Sequence, residues 1–246
     1  MGKTLFKHIP NALTAMNLLC GSLAVPLAIM DFLPESAFLI FLSFVFDVSD
    51  GMAARLLKVQ SPLGKELDSL ADVISFGLAP AAILFTIQQH PIGTGDFHTD
   101  IPAGQMVLQF LPFILPVFAG LRLAKFNIDD RQTSRFIGLP VPANGLMVLA
   151  LPFILSTQPD SFLITWMESS WFIPVYSIAV SLLMVSPLKL YSLKLKGFGW
   201  KKNTCTFLFA GIALLLVVFF GYTGIFLIIP AYIVYAAVID AAGKTV

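Results

Sequence analysis

Apolar residues run through this chain in long blocks rather than in the short alternations of a soluble fold. The blocks fall at Asn11–Met30, Pro34–Arg55, Asp68–Ile87, Gln105–Ala124, Leu139–Ser156, Trp171–Leu188, Asn203–Phe220 and Tyr222–Asp240. Each approaches the roughly 20 residues that carry a helix across hydrocarbon. The pattern therefore predicts an all-α integral membrane protein, a polytopic bundle of about eight transmembrane helices. Only Gly221 separates the last two blocks, so a single bent hairpin there is the alternative. The expected organisation is one membrane domain over residues 1–246, with a six-helix core over 11–188 and two further helices over 203–240. No small-residue cleavage site follows the first block, so a cleavable signal peptide is not expected.

Composition agrees and narrows the class. Of 246 residues, 57% are hydrophobic and 12% are charged, against about 25% charged in soluble domains. This excludes an ordinary soluble domain, and it excludes intrinsic disorder, which needs the opposite balance. Where the few charges sit says more than the net charge of +1. Lys3 and Lys7 precede the first block, and Arg55, Lys58 and Lys65 follow the second. Arg122, Lys125, Arg131 and Arg135 follow the fourth; Lys189, Lys194, Lys196, Lys201 and Lys202 follow the sixth; Lys244 follows the eighth. The alternate loops Asp31–Leu33, Gln88–Gly104 and Thr157–Ser170 hold no Lys or Arg. The positive-inside rule makes the basic side cytoplasmic, with both termini on it, in a multi-pass protein of the cell membrane.

Most other chemistry is unremarked by the sequence. Cys20 and Cys205 show no C-x-x-C spacing and read as small apolar residues. His8, His90 and His98 show no metal-ligand spacing. The lysine- and aromatic-bearing run Lys189–Lys202 suits an interfacial segment on anionic lipid, and Met1–Pro10 suits a short helix at the membrane surface. A nucleic-acid partner is not expected, because no soluble basic domain is present.

Four aspartates stand apart. Asp47 and Asp50 lie near the basic end of the second block, and Asp68 and Asp72 open the third. A charge at the bilayer centre costs about 2.5–3.5 kcal/mol on insertion scales, so four of them need compensation. Spacings of i, i+3 and i, i+4 put each pair on one helix face. A short connection joins the two blocks, so antiparallel helices would let all four carboxylates converge. Mutual repulsion would then return protons to them unless cations intervened. Hard divalent ions with oxygen preference are the natural partners, and paired ions are a known arrangement for phosphoryl displacement. Gly51 and Ala54 leave room for a flat ligand or for close helix packing. Arg55 could clamp a pyrophosphate or snorkel as an anchor. Gly64 could admit a ligand or simply form a turn.

Residues 47–72 as a whole read D-x2-D-G-x2-A-R-x8-G-x3-D-x3-D, with Asp47, Asp50, Gly51, Ala54, Arg55, Gly64, Asp68 and Asp72 at the fixed positions. This resembles the signature of the CDP-alcohol phosphotransferase family. Within it the chain is most similar to bacterial and archaeal phosphatidylserine synthases, through Ile9–Gly21, Gly120–Asn127, Phe136–Ala143 and Leu182–Leu190. The resemblance implies an enzyme that joins CDP-diacylglycerol to L-serine, giving phosphatidylserine and CMP. It implies that Asp47, Asp50 and Asp68 bind divalent metal, Mg2+ or Mn2+, as two ions. Asp72 would be the general base and also touch metal. Gly51, Ala54, Arg55 and Gly64 would surround the CDP group, and Asn17 would reach the nucleotide phosphates. A homodimer is also implied.

Arg122, Lys125, Asn127, Arg131 and Arg135 are candidates to hold the serine carboxylate, with Arg122 and Asn127 preferred because they fall in GLRLAKFN. Membrane anchoring is the plain alternative for them. No Ser, Cys or His sits in the motif as an obvious covalent nucleophile, so direct displacement is expected rather than a ping-pong reaction. Two rival functions remain. One is a sister enzyme whose acceptor is glycerol phosphate or an inositol phosphate. The other is an ion-coupled transporter using the aspartates as its path, although transporter sites usually lie at the bilayer midplane.

Overall fold

A computed structural model describes residues 8–59, 61–89, 103–128, 136–190 and 200–241. Outside them lie Lys3, Lys7, His90, His98, Arg131, Arg135, Lys194, Lys196 and Lys244, with most of the expected surface segments Met1–Pro10 and Lys189–Lys202. The protein is all-α. Helix α1 spans Ile9–Ile29 and α2 spans Leu33–Leu57. Then come α3 (Pro62–Asp72), a π-helical turn (Val73–Leu78) and α4 (Ala79–Gln89), which form one continuous span. Helix α5 (Ala103–Phe110) passes through a 3-10 turn into α6 (Ile114–Ile128). The short helices α7 (Val141–Val148), α8 (Ala150–Thr157) and α9 (Phe162–Glu168) precede α10 (Phe172–Val185). Helices α11 (Trp200–Phe220) and α12 (Tyr222–Ala241) close the chain. The only extended pairing among the described residues is a two-residue bridge, Phe136–Ile137 with Lys189–Leu190.

Among the described residues, six helices are long and apolar enough to cross a membrane, or seven if the bent α7–α9 segment counts as one span. This makes the chain a multi-pass membrane protein. The remaining expected block appears as α10, whose 14 residues fall short of that length. Other differences from the apolar blocks have local causes. The third span starts at Pro62, six residues before Asp68, because the Ser61 hydroxyl caps it by accepting the Gly64 N–H at 2.9 Å and Pro62 suits the first turn. Asp68 and Asp72 therefore sit in its second and third turns rather than at its opening. The stretch expected as the loop Thr157–Ser170 contains α9, capped by Ser161, which lies at 103° to the preceding helices.

The last two blocks are separate helices, reversed at Gly221, which has φ +58°. They pack antiparallel, with Phe209 against Tyr232 at 5.3 Å between ring centroids and Tyr235 donating to the Cys205 carbonyl at 2.7 Å. Cys20 and Cys205 are free thiols.

The centre of the bundle is the span Pro62–Gln89, 72% of whose most apolar window is buried. Phe76, Ile83 and Leu84 of this span and Leu115, Leu151 and Ile154 of other helices are among the large side chains fully enclosed in the bundle. Helix α1 packs along α2 and crosses α3, the π-turn and α4. Two buried hydroxyls inside this packing find backbone partners: Ser36 donates to the Ala24 carbonyl at 2.8 Å and Thr86 to the Ala28 carbonyl at 2.9 Å. Such small hydroxyl residues let membrane helices approach closely. The result is a three-helix corner, α1, α2 and α3, at the end of the bundle where the aspartates lie.

Candidate functional site

The aspartates do converge. Asp47, Asp50 and Asp68 each present a carboxylate oxygen, all within 4.8 Å of one another. Asp72 lies outside this group of three, one turn further along α3, with the Asp47 carboxylate against both Asp68 and Asp72. Asp50 and Asp72 are buried. Asp50 is fixed by the Thr14 hydroxyl of α1, which donates to its Oδ2 at 2.6 Å. Asp68 Oδ1 and Asp72 Oδ1 are buried with no hydrogen-bond partner. Bare carboxylate oxygens facing one another in a poorly solvated site need positive charge. An all-oxygen donor set of this kind fits a hard divalent cation, so these residues could hold a metal ion. One opposing charge is Arg122 of α6, which faces Asp72. Its guanidinium is buried, its Nε lacks a partner, and it lies 6.0 Å from the Phe126 ring centroid.

Beside the aspartates opens a cleft of about 530 Å3. Five of the residues singled out from sequence line it: Asp50, Gly51, Ala54, Gly64 and Asp68. A Cβ at Gly51 would meet only the Arg55 guanidinium, at 4.0 Å. The small residue there thus serves the space of the cleft and not a helix–helix contact. Gly64 differs: a Cβ would come within 2.8 Å of Asn11 Oδ1, so its bareness lets the start of α3 approach α1. Arg55 is exposed, outside the cleft lining, with its Nε donating to the Gly51 carbonyl at 2.9 Å.

Other expected residues are placed differently. Asn17 is fully buried one turn along α1 from Thr14 and does not line the cleft. Its side-chain amide has no partner, while its backbone carbonyl accepts from Ser43 and Ser75, each at 3.1 Å. Asn127 is engaged in joining helices: its Nδ2 donates to Ser69 Oγ at 2.9 Å and its carbonyl accepts from Lys65 Nζ at 3.1 Å. Arg122 and Asn127 therefore face different neighbours. The other polar side chains of the lining are Asn11, Thr14, Ser61 and Lys65, none of which the aspartate motif includes among its fixed positions. Asn11 and Thr14 are three apart and share a face of α1. That spacing is a usable signal. Lys65 reads from sequence only as a basic anchor.

Fold and site together define a multi-pass membrane protein built around carboxylates that border a cleft large enough for a head group. The chain belongs to the CDP-alcohol phosphatidyltransferase family, whose sequence profile matches residues 7–185. It is 33% identical over 153 residues to the CDP-diacylglycerol–serine O-phosphatidyltransferase of Bacillus subtilis, covering 59% of this chain and 76% of that protein. It is 32% identical over 181 residues to the protein of that name from Methanocaldococcus jannaschii, covering 74% of this chain and 72% of the relative. The match to the Mycobacterium leprae protein of that name is 31% over 191 residues, 74% of this chain but only 58% of the relative's length.

Proposed function

We propose that this protein transfers the phosphatidyl group of CDP-diacylglycerol to the hydroxyl of L-serine, releasing CMP and forming phosphatidylserine. The observation that carries the reading is the convergence of Asp47, Asp50 and Asp68 beside a cleft floored by Gly51 and Ala54. The names of the relatives point to the same substrates. In this reading the cleft takes the CDP group, with Gly51 and Ala54 giving it room and Lys65, Asn11 and Arg55 meeting its phosphates. Asp47, Asp50 and Asp68 hold divalent metal, two ions of Mg2+ or Mn2+, with Asp72 as a further ligand. Bound metal neutralises charge on the pyrophosphate and on departing CMP.

The chain's own residues supply the rest. Asp72 accepts the proton of the serine hydroxyl, which is a poor nucleophile until that proton is taken. The serine oxygen then bonds to the phosphorus that bears diacylglycerol, and the anhydride bond to CMP breaks. Arg122, beside Asp72, holds the serine carboxylate so that the hydroxyl reaches the base. Asn127 helps indirectly by tying Lys65 and Ser69 to α6. Asn17, buried below, steadies α1 against α2 and the π-turn through its carbonyl.

The distribution of Lys and Arg supports an eight-crossing topology with both termini in the cytoplasm and the site at the inner face of the cell membrane. There CDP-diacylglycerol keeps its acyl chains in the bilayer while serine arrives from water. The unit proposed is a single membrane domain, with a catalytic core over residues 11–188 extended by the pair of helices at 203–240, working as a homodimer.

The test is CMP release by purified protein given CDP-diacylglycerol, Mn2+ or Mg2+, and one alcohol at a time. Release is expected with L-serine. Preference for glycerol phosphate or an inositol phosphate would reassign the acceptor within the family. Ion flux in proteoliposomes without CMP release would replace the enzyme with a transporter.

A further inference from the structure

Resting on the assignment of Asp72 as base, we infer that Asn144, held by Tyr176, is a positioning residue that sets Asp72 through the π-helical turn. Pro80 lies inside the span, in the first turn of α4. A proline inside a helix offers no N–H and crowds the carbonyl four residues back, which here belongs to Phe76. The span does not break. It widens into the π-turn Val73–Leu78, where the Ala79 N–H reaches back five residues to the Ile74 carbonyl. Insertions of this kind often mark functional sites. Phe76's carbonyl, denied its helical donor by Pro80, accepts instead from Asn144 Nδ2 of α7 at 2.8 Å. Tyr176 of α10 donates its hydroxyl to Asn144 Oδ1 at 3.0 Å, which fixes the amide so that its nitrogen faces the carbonyl. Asn144 is fully buried and Tyr176 nearly so.

The turn is also gripped at three consecutive residues. A Cβ on Gly21 of α1 would stand 2.6 Å from Ser75 Cα, one on Gly145 of α7 would stand 2.6 Å from Phe76 Cδ1, and one on Gly77 itself would stand 2.9 Å from Pro116 Cα of α6. Beyond the turn, α4 is locked by buried residues including Ala81, Ala82, Ile83 and Leu84. Before it comes Asp72, its last neighbour on α3. One extra residue in a turn rotates everything on one side by about 100° relative to the other. With α4 locked, the width of the turn decides which way Asp72 and Asp68 point. Asn144 bonds to Phe76 and Tyr176 and lines no part of the cleft. Its effect on the reaction passes through Phe76.

The experiment compares Tyr176→Phe, Asn144→Leu and the double variant Pro80→Ala/Asn144→Leu with the unaltered protein. CMP release, thermal unfolding and Mn2+ binding by electron paramagnetic resonance are measured on each. Asn144→Leu is expected to lower kcat at least 30-fold and Tyr176→Phe 3- to 10-fold, with KM for CDP-diacylglycerol within twofold. Mn2+ binding is expected to weaken about fivefold in Asn144→Leu, because Asp68 moves with the turn.

The double variant separates positioning from mere support. Its Pro80→Ala change supplies the N–H that the Phe76 carbonyl lacks, so thermal stability should return. The turn can then close to α-helical width, and kcat should stay low. Recovery of kcat along with stability would overturn the inference. So would kcat and Mn2+ affinity within twofold of the unaltered protein in both single variants. If Asn144→Leu does not fold, Tyr176→Phe decides. If the unaltered protein releases no CMP, the proposed reaction falls, and Mn2+ affinity alone tests the link from Asn144 to the aspartates.

Discussion

Two spans of similar hydropathy meet opposite surroundings in this protein. In Pro62–Gln89, 72% of the most apolar window is buried, whereas in Asn203–Phe220 the share is 11%. The first is built from small and hydroxyl-bearing residues at its contacts, among them Ala71, Ser75, Ala79, Ala82 and Thr86, all buried. The second turns Leu208, Leu214, Leu215, Val218 and Phe219 outward. Without a hydrophobic drive between helices in lipid, close packing falls to small residues and interhelical hydrogen bonds. Apolar content thus says that a segment can enter a membrane. Side-chain size and polarity say whether it will face protein or lipid. The charged pair Asp68 and Asp72 is tolerable only in the span that faces protein. The family profile stops at residue 185, before the outward-facing hairpin begins.

The contrast is sharpest if chemistry depends wholly on the buried span. Asp72→Asn should lower CMP release by about 10³-fold, within the range for loss of a positioned base, while the protein elutes as folded material in detergent. Activity within tenfold of the unaltered protein would remove Asp72 from that role. Next in size is Arg122→Gln. Losing one member of a buried charged pair costs about 2 kcal/mol at the low end, or about 30-fold. The loss should fall on kcat/KM for serine and leave KM for CDP-diacylglycerol little changed. An equal effect on both substrates would mean that Arg122 does not select the acceptor.

Glycines give a matched pair. Gly21 abuts the backbone of Ser75, but nothing lies within 4 Å of a Cβ built on Gly211 in α11. Gly21→Ala should destabilise by about 1–3 kcal/mol through overpacking and reduce turnover as the π-turn shifts. Gly211→Ala should be neutral or stabilising by up to about 1 kcal/mol, from helix propensity alone. Thermal unfolding of both checks this. Equal destabilisation would show that the hairpin is packed as tightly as the core.

The same distinction explains what the sequence could disclose. The convergence of Asp47, Asp50 and Asp68 was legible because it needs only helical spacing and a short connection. The true start of α3 was not caught by apolar blocks, since Lys65 and Glu66 lower the hydropathy there, yet Ser61–Pro62 carried the capping signal. The helix α9 was likewise announced by its cap Ser161 and hidden inside an expected loop. Depth was harder. Asn17 and Thr14 share one face of α1, but only the packing of α1 on α2 puts Thr14 on Asp50 and Asn17 beneath the cleft floor. Asn127 looked free to bind substrate, and only the docking of α6 on α3 reveals its partners Ser69 and Lys65. Contacts between distant helices leave no periodic trace along the chain.

The smallest expected effect probes the join between the two regions. Gln158, just past α8, bridges the hairpin turn by donating to the Phe220 carbonyl at 2.9 Å and accepting from the Thr223 N–H at 3.0 Å. The Thr223 hydroxyl lies 3.2 Å from Gln158 Oε1 and 2.8 Å from Ser161 Oγ, and Thr223 is buried. Thr223→Val keeps the shape and the N–H bond and removes only the hydroxyl. That should cost about 1 kcal/mol, a fall of about 2–4 °C in Tm for a chain of this size. CMP release should stay within twofold, because the clamp holds the hairpin against α8 and α9 and touches none of α1, α2 or α3. A tenfold fall in kcat with an unchanged Tm would break the comparison: the outward-facing hairpin would then be coupled to the aspartates rather than simply attached to the bundle that holds them.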